Sequence, residues 1–225
     1  MILNVVLKMI LRSWWRNKVF FLVSVASLAL GLACTNLLMT YFVHEHGLEG
    51  RNPDRDRMFF LRQDDPMTEG KRVAFAGAEI PPQLKQSYAE VENFLRLGKL
   101  DLLYCKVNEQ KVKGDFKMLS ADTTLTSFFD YRTEEGSLSQ VLCQPGKVAL
   151  SEACARRLFG GKQAVGKQVE AHFRFGEVRT YEVAAVLKKR EQSLLQFDML
   201  IAHDPDFFWG GLTLLKLTPG TDAGH

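Results

Sequence analysis

The sequence predicts an α+β fold class, with one membrane-spanning helix near the N-terminus followed by a mixed domain of strands and short helices. Two observations lead to it. Residues Val19 to Val43 read VFFLVSVASLALGLACTNLLMTYFV, 25 residues without a charge. Beyond His44 the apolar residues fall into short runs of alternating or helical spacing, and no second run reaches that length.

At about 1.5 Å of rise per residue the charge-free run reaches about 37 Å, enough to cross a hydrocarbon core of roughly 30 Å. A signal peptide has an apolar core of only about 7–15 residues. Gly31-Leu32-Ala33-Cys34 matches a lipoprotein cleavage box only faintly, because Gly31 stands where Leu is usual and more apolar or small residues follow Cys34. Cys34 therefore reads as a small apolar residue within the helix.

Charge sets the orientation. Residues 1–43 hold no acid and four bases, Lys8, Arg12, Arg16 and Lys18, which leaves 25 bases and 26 acids for the rest of the chain. The positive-inside rule puts the N-terminus in the cytoplasm. The bias is modest, because Arg51, Arg55 and Arg57 closely follow the span. The near-neutral remainder gives no electrostatic support to nucleic-acid binding.

Leu3, Val6, Leu7, Ile10, Leu11 and Trp14 recur at helical spacing ahead of the span. This predicts an amphipathic helix over 1–18, with Lys8, Arg12, Trp14, Trp15, Arg16 and Lys18 at the membrane surface. The residues leave open whether it only flanks the span or touches a cytoplasmic partner.

Residues 44–225 then form the extracytoplasmic domain. Met58 to Leu61 reads as a strand, Ile80 to Tyr88 as a helix opened by Pro81 and Pro82, and Val91 to Leu97 as a strand, a β-α-β pattern. Strands follow at Leu102 to Val107 and Lys111 to Leu119, with a short helix at Thr123 to Phe129. Residues 134–146 read as a loop punctuated by Gly136, Pro145 and Gly146. Lys147 to Leu150 is a strand, and Ser151 caps a helix from Glu152 to Phe159 that stops at Gly160-Gly161. Val178 to Leu187, Phe197 to Ala202 and Leu212 to Leu217 complete the strands.

No residue set argues for catalysis, a metal or a cofactor. Gly161 to Lys167 has the G-x4-G-K spacing of a phosphate loop, but Gln168 stands where Ser or Thr would hold magnesium. The context is also reversed, with a helix before and a strand after, so these glycines read as turn residues. His44 and His46, at i and i+2, share no helix face, and His172 and His203 lack partners at ligand spacing. Cys105, Cys143 and Cys154 are odd in number and allow at most one disulfide; all three are expected reduced or buried. The aromatic residues Phe128, Phe129, Phe207, Phe208 and Trp209 read as core rather than as a binding surface.

Several stretches, in order, resemble one family, the MacB/FtsX-type ABC transporter permeases. Leu11 to Lys18 is similar to their basic R-x-x-x-R-N-K lead, and Leu28 to Cys34 to the L-A-x-G-L-A of their first span. Asn52 to Leu61 resembles the opening of their extracytoplasmic domain. Ala149 to Gly160, ALSEACARRLFG, resembles the more specific L-S-E-x-x-A-x-x-L-F-G stretch, continued by the Val165-Gly166-Lys167 turn. Tyr181 to Val186, Ser193 to Leu200 and Leu215 to Asp222 resemble later segments; Ala184-Ala185-Val186 departs by lacking a Gly.

The resemblance implies a porter-like β-α-β subdomain with an inserted strand-rich one, incomplete at the C-terminus. It further implies more spans beyond His225, a dimer of permease chains in the bacterial inner membrane, and a separate cytoplasmic ATPase that drives motion of the periplasmic domain for efflux or mechanotransmission, with a periplasmic protein as a further partner. The other reading is a stand-alone single-span protein whose periplasmic domain binds a ligand or protein.

Overall fold

The computed structural model describes residues 18–47, 52–64, 71–161, 163–188, 195–204 and 210–221. The chain divides into two units, Met1–Leu48 and Glu49–His225.

The first unit is the helix α1, Lys18–Gly47. Its stretch Lys18–Phe42 is long and apolar enough to cross a membrane. Apolar side chains are exposed all round it, from Val19 and Phe20 to Leu37 and Tyr41, as lipid requires and water would not tolerate. The Ser27 and Thr35 hydroxyls donate to the carbonyls of Val23 at 2.8 Å and Gly31 at 2.9 Å, so these polar groups are satisfied within the helix.

The second unit is built from β1 (Met58–Phe60), β2 (Gln63–Asp64), β3 (Arg72–Val73), β4 (Ala76–Gly77), α2 (Ile80–Ser87), β5 (Val91–Val107), β6 (Gln110–Lys113), β7 (Lys117–Ala121), α3 (Leu125–Phe128), β8 (Thr133–Gly136), α4 (Leu138–Cys143), β9 (Lys147–Ser151), α5 (Glu152–Phe159), β10 (Gln168–Phe173), β11 (Val178–Leu187), β12 (Met199–Ala202) and β13 (Gly210–Leu217). The predicted β-α-β is present as β1, α2 and β5. β13 lies between the two strands, antiparallel to both, so β1 and β5 are parallel neighbours once removed.

The two strands expected at Val91 to Leu97 and Leu102 to Val107 are one, β5, of 17 residues. It pairs with β13 over Val91–Leu97, with β7 over Leu97–Asp101, with β10 over Leu102–Lys106 and with β6 over Tyr104–Val107. Pairing passes from β5 to β10, β11, β9, β12 and β7, and from β7 back to β5, a closed ring of six strands. Closure leaves no edge within the ring.

Both faces of the ring are covered. Inside lie Leu100, Cys105, Met118, Val148, Leu150, Val169, Val183 and Met199, with Cys154 and Leu158 of α5. Outside, Leu95, Leu97, Ala149, Ala185 and Leu200 pack with Leu125, Phe128, Phe129, Val141 and Leu142. Burial on two sides explains the continuous apolar runs Val148–Leu150 in β9 and Val183–Leu187 in β11. At β5 the inward side changes from Leu100 and Leu102 to Cys105 and Val107 because Leu103 bulges between the pairs Leu102↔Phe173 and Tyr104↔His172.

Several expectations are corrected. Residues 134–146 are no simple loop: most of β8 and α4 lie there, and Leu138, Val141 and Leu142 are buried. The run Lys111 to Leu119 is broken into β6 and β7 at Gly114, where an added Cβ would lie 1.3 Å from Arg157 Nη2. The helix expected over Thr123 to Phe129 is the single turn α3. β10 went unread. By contrast α5 is capped as expected, by the Ser151 hydroxyl accepting from the Cys154 N–H at 3.2 Å and by Gly160 at φ 65°.

Candidate functional site

Of the surface residues singled out in the sequence, Lys8, Arg12, Trp14, Trp15 and Arg16 lie outside the described residues, as do Arg51, Phe207, Phe208 and Trp209. Lys18 is the first residue of α1 and is exposed. Phe128 and Phe129 are 2% and 1% exposed, core rather than surface. The cysteines Cys105, Cys143 and Cys154 are free thiols. The glycine turn after α5 is held by backbone bonds, Gly166 N–H to Val183 O at 2.8 Å and Lys167 N–H to Ala164 O at 3.1 Å, with α5 before it and β10 after.

What the sequence could not show is an ionic clamp at the start of the domain. Asn52 opens it: its carboxamide oxygen accepts from the Asp54 N–H at 3.0 Å, and its Nδ2 donates to the Phe128 carbonyl at 2.6 Å. A 3-10 turn, Arg55–Arg57, then brings Arg57 back to the Asp54 carboxylate. Arg57 Nη1 also donates to Glu92 Oε2 and to the Leu217 carbonyl, each at 2.6 Å. Lys216, 7% exposed, pairs with Asp54 and stands 3.6 Å from Glu92.

Two cations and two carboxylates thus join the segment before β1, the first turn of β5 and the end of β13. The Lys216 ammonium, and Arg57 after it, hold the Asp54 carboxyl below its usual range, and Arg57 does the same for Glu92. Asp54 and then Glu92 push the Arg57 guanidinium above its ordinary value. Lys216 is buried only because these partners receive it.

A second ion pair sits where β5 passes from β13 to β7. Arg96 grips Asp122 through Nη2 at 2.7 Å and Nε at 3.0 Å, donates its backbone N–H to the same carboxylate at 2.8 Å, and reaches the Ala78 carbonyl through Nη1 at 3.1 Å. His203 lies beside it, its backbone N–H donating to the Ala121 carbonyl at 2.8 Å. Burial, and then the Arg96 charge, hold its imidazole below the ordinary value. Among the described residues no cluster of His, Cys, Asp and Glu could hold a metal ion. The four-residue clamp and the Arg96–Asp122 pair fix elements to one another.

The fold and clamp define a class, an α+β domain whose strands β1 and β13 are locked side by side, in a chain that also carries a membrane-length helix. A family model, the MacB-like periplasmic core domain, matches residues 21–223, and the chain belongs to that family. Among solved structures it is similar to a domain of a permease protein from Porphyromonas gingivalis, with 18% identity, a TM-score of 0.61, and 76% of this chain and 79% of that one covered. It is also similar to the periplasmic region of MacB from Actinobacillus actinomycetemcomitans, with 10% identity, a TM-score of 0.54 and 79% of each chain covered. A third is the extracellular domain of the ABC-type transporter YknZ from Gram-positive bacteria, with 15% identity, a TM-score of 0.54, and 72% and 83% covered. At these identities the likeness is one of fold. No curated protein matches the chain. The chain thus combines a MacB-like periplasmic core domain with a helix long and apolar enough to cross a membrane.

Proposed function

We propose that the chain is the amino-terminal part of a permease subunit that couples ATP hydrolysis by a separate cytoplasmic ATPase to motion of its periplasmic domain, for efflux or mechanotransmission. Residues 1–18 lie on the cytoplasmic surface of the inner membrane, 19–43 cross it and 44–225 stand in the periplasm, as one of a pair of permease chains. The observation that carries this reading is the clamp. Asp54 and Arg57, at the start of the domain, are ion-paired to Glu92 at the start of β5 and to Lys216 near the end of β13. A displacement delivered at residues 52–57 passes through these pairs into β5. That strand, about 56 Å long at roughly 3.3 Å per residue, belongs both to the β1, β13, β5 sheet and to the closed ring.

The test uses the full-length permease reconstituted with its ATPase. Arg12→Glu combined with Arg16→Glu is expected to abolish stimulation of ATP hydrolysis while membrane insertion persists. Unchanged stimulation would remove the basic helix from the coupling route.

A further inference from the structure

The outer face of the ring at β6, β5 and β10 carries two cross-strand rows: Lys113, Tyr104 and His172 in one, Lys111, Lys106 and Glu170 in the next. Much of this face is satisfied within itself. Lys106 Nζ is 3.0 Å from Glu170, the Tyr104 and His172 rings stack at 4.2 Å, and Lys111 Nζ sits 3.5 Å from the Tyr104 ring centre. With both ring faces in use, Tyr104 is no stacking platform for a flat ligand.

The edge is different. Among the described strands β6 pairs only with β5. A two-residue turn, Asn108-Glu109, closes the hairpin on the pair Val107↔Gln110. In such a hairpin the closing pair exchanges both hydrogen bonds and the pairs then alternate. Cys105↔Val112 is therefore hydrogen-bonded, while Lys106↔Lys111 and Tyr104↔Lys113 are not. The backbone groups of Lys111 and Lys113 consequently point away from β5. The Lys113 carbonyl agrees: it already accepts from Arg157 Nη2 at 2.8 Å, which leaves the Lys111 N–H and carbonyl and the Lys113 N–H to bond an added strand. Lys111 and Lys113 are both exposed, on the same face of the strand.

We propose that the β6 edge is a docking site for an extended acidic segment of a partner protein, which adds a strand to the sheet and sets carboxylates at alternate positions against Lys111 and Lys113. Charge selects this occupant over a second copy of the chain. In any two-fold antiparallel pairing centred at Lys111, Val112 or Lys113, a lysine of one β6 faces a lysine of the other, which is unfavourable. The same lysines that keep the edge from pairing with its own kind accept a strand of opposite charge.

Fluorescence anisotropy of a labelled octapeptide alternating Glu and Val, titrated with the full chain in detergent micelles, tests the proposal. Saturable binding that weakens with added salt is expected. Lys111→Glu with Lys113→Glu should weaken it about tenfold and confer binding of a peptide alternating Lys and Val. An acidic peptide N-methylated at alternate residues, unable to donate along the shared edge, should lose binding as well. Equal binding by the N-methylated peptide would reduce the contact to charge alone and overturn strand addition. So would undiminished binding by the double variant with its circular dichroism intact, or sedimentation showing that β6 instead joins copies of the chain.

Discussion

Asn108 and Glu109 turn β5 into β6 with φ of 49° and 64°, a left-handed backbone that suits Asn and Gly but strains Glu. Glu109→Gly is expected to stabilise the domain by about 1 kcal/mol, read from the urea midpoint. Gly136 is the opposite case: at φ 75° an added Cβ would lie 2.0 Å from the Ala184 carbonyl oxygen, which is backbone and cannot step aside. Gly136→Ala should cost about 2 kcal/mol or more by the same measurement. His203 sets a pH dependence. Burial and Arg96 lower its pKa from 6.5, while Asp122 and Asp204 oppose them. The unfolded chain then binds a proton that the folded chain refuses, so this contribution is complete above about pH 6.5 and falls as the pH drops below it. His203→Gln should flatten the melting temperature between about pH 6.5 and 5; an unaltered slope would assign the dependence to other groups.

The clamp is the element-scale device. Asp54 and Glu92 are held below their ordinary 3.8 and 4.5, so their contribution is present above those values and is lost as pH falls through the lowered ones. At neutral pH, Asp54→Asn should lower the melting temperature more than Asp54→Asn combined with Lys216→Met, because the single change leaves a buried ammonium with only the more distant Glu92, at 3.6 Å, and the Ser127 carbonyl, at 3.5 Å, while the double change removes it. Equal losses would mean that the pair is uncoupled. α5 was legible to the residue, since its Ser151 cap, its apolar face and Gly160 are local signals. β10 carries a local signal too, the alternation of Val169, Ala171 and Phe173, but at six residues beside a glycine turn it is short. The clamp was beyond reach, because Asp54 and Lys216 meet across 162 positions of sequence and charge spacing records nothing of such a meeting.

For the whole molecule, the closed ring predicts the reactivity of the thiols. Burial pushes the Cys105 thiol up to about 12 and raises Cys154 as well, whereas Cys143 is exposed. A water-soluble maleimide should label Cys143 in the folded chain. Labelling of Cys105 and Cys154 should follow global unfolding in urea, since both lie inside the ring and the thiolate is the reactive form. Early labelling at Cys105 would show that the ring opens locally.

By itself the sequence determined the apolar helix, the β-α-β opening, the capped α5, the α+β class and the family likeness. All of these rest on signals a few residues apart: charge-free length, periodicity, caps and short motifs. Only the tertiary structure decided that two predicted strands are one, that residues 134–146 hold β8 and α4 against the ring, that β7 returns to β5, and that Asp54, Arg57, Glu92 and Lys216 converge. The reason is physical. Strand partners and buried ion pairs are chosen by which surfaces can cover one another once the chain is closed, and that choice depends on residues far apart in the sequence.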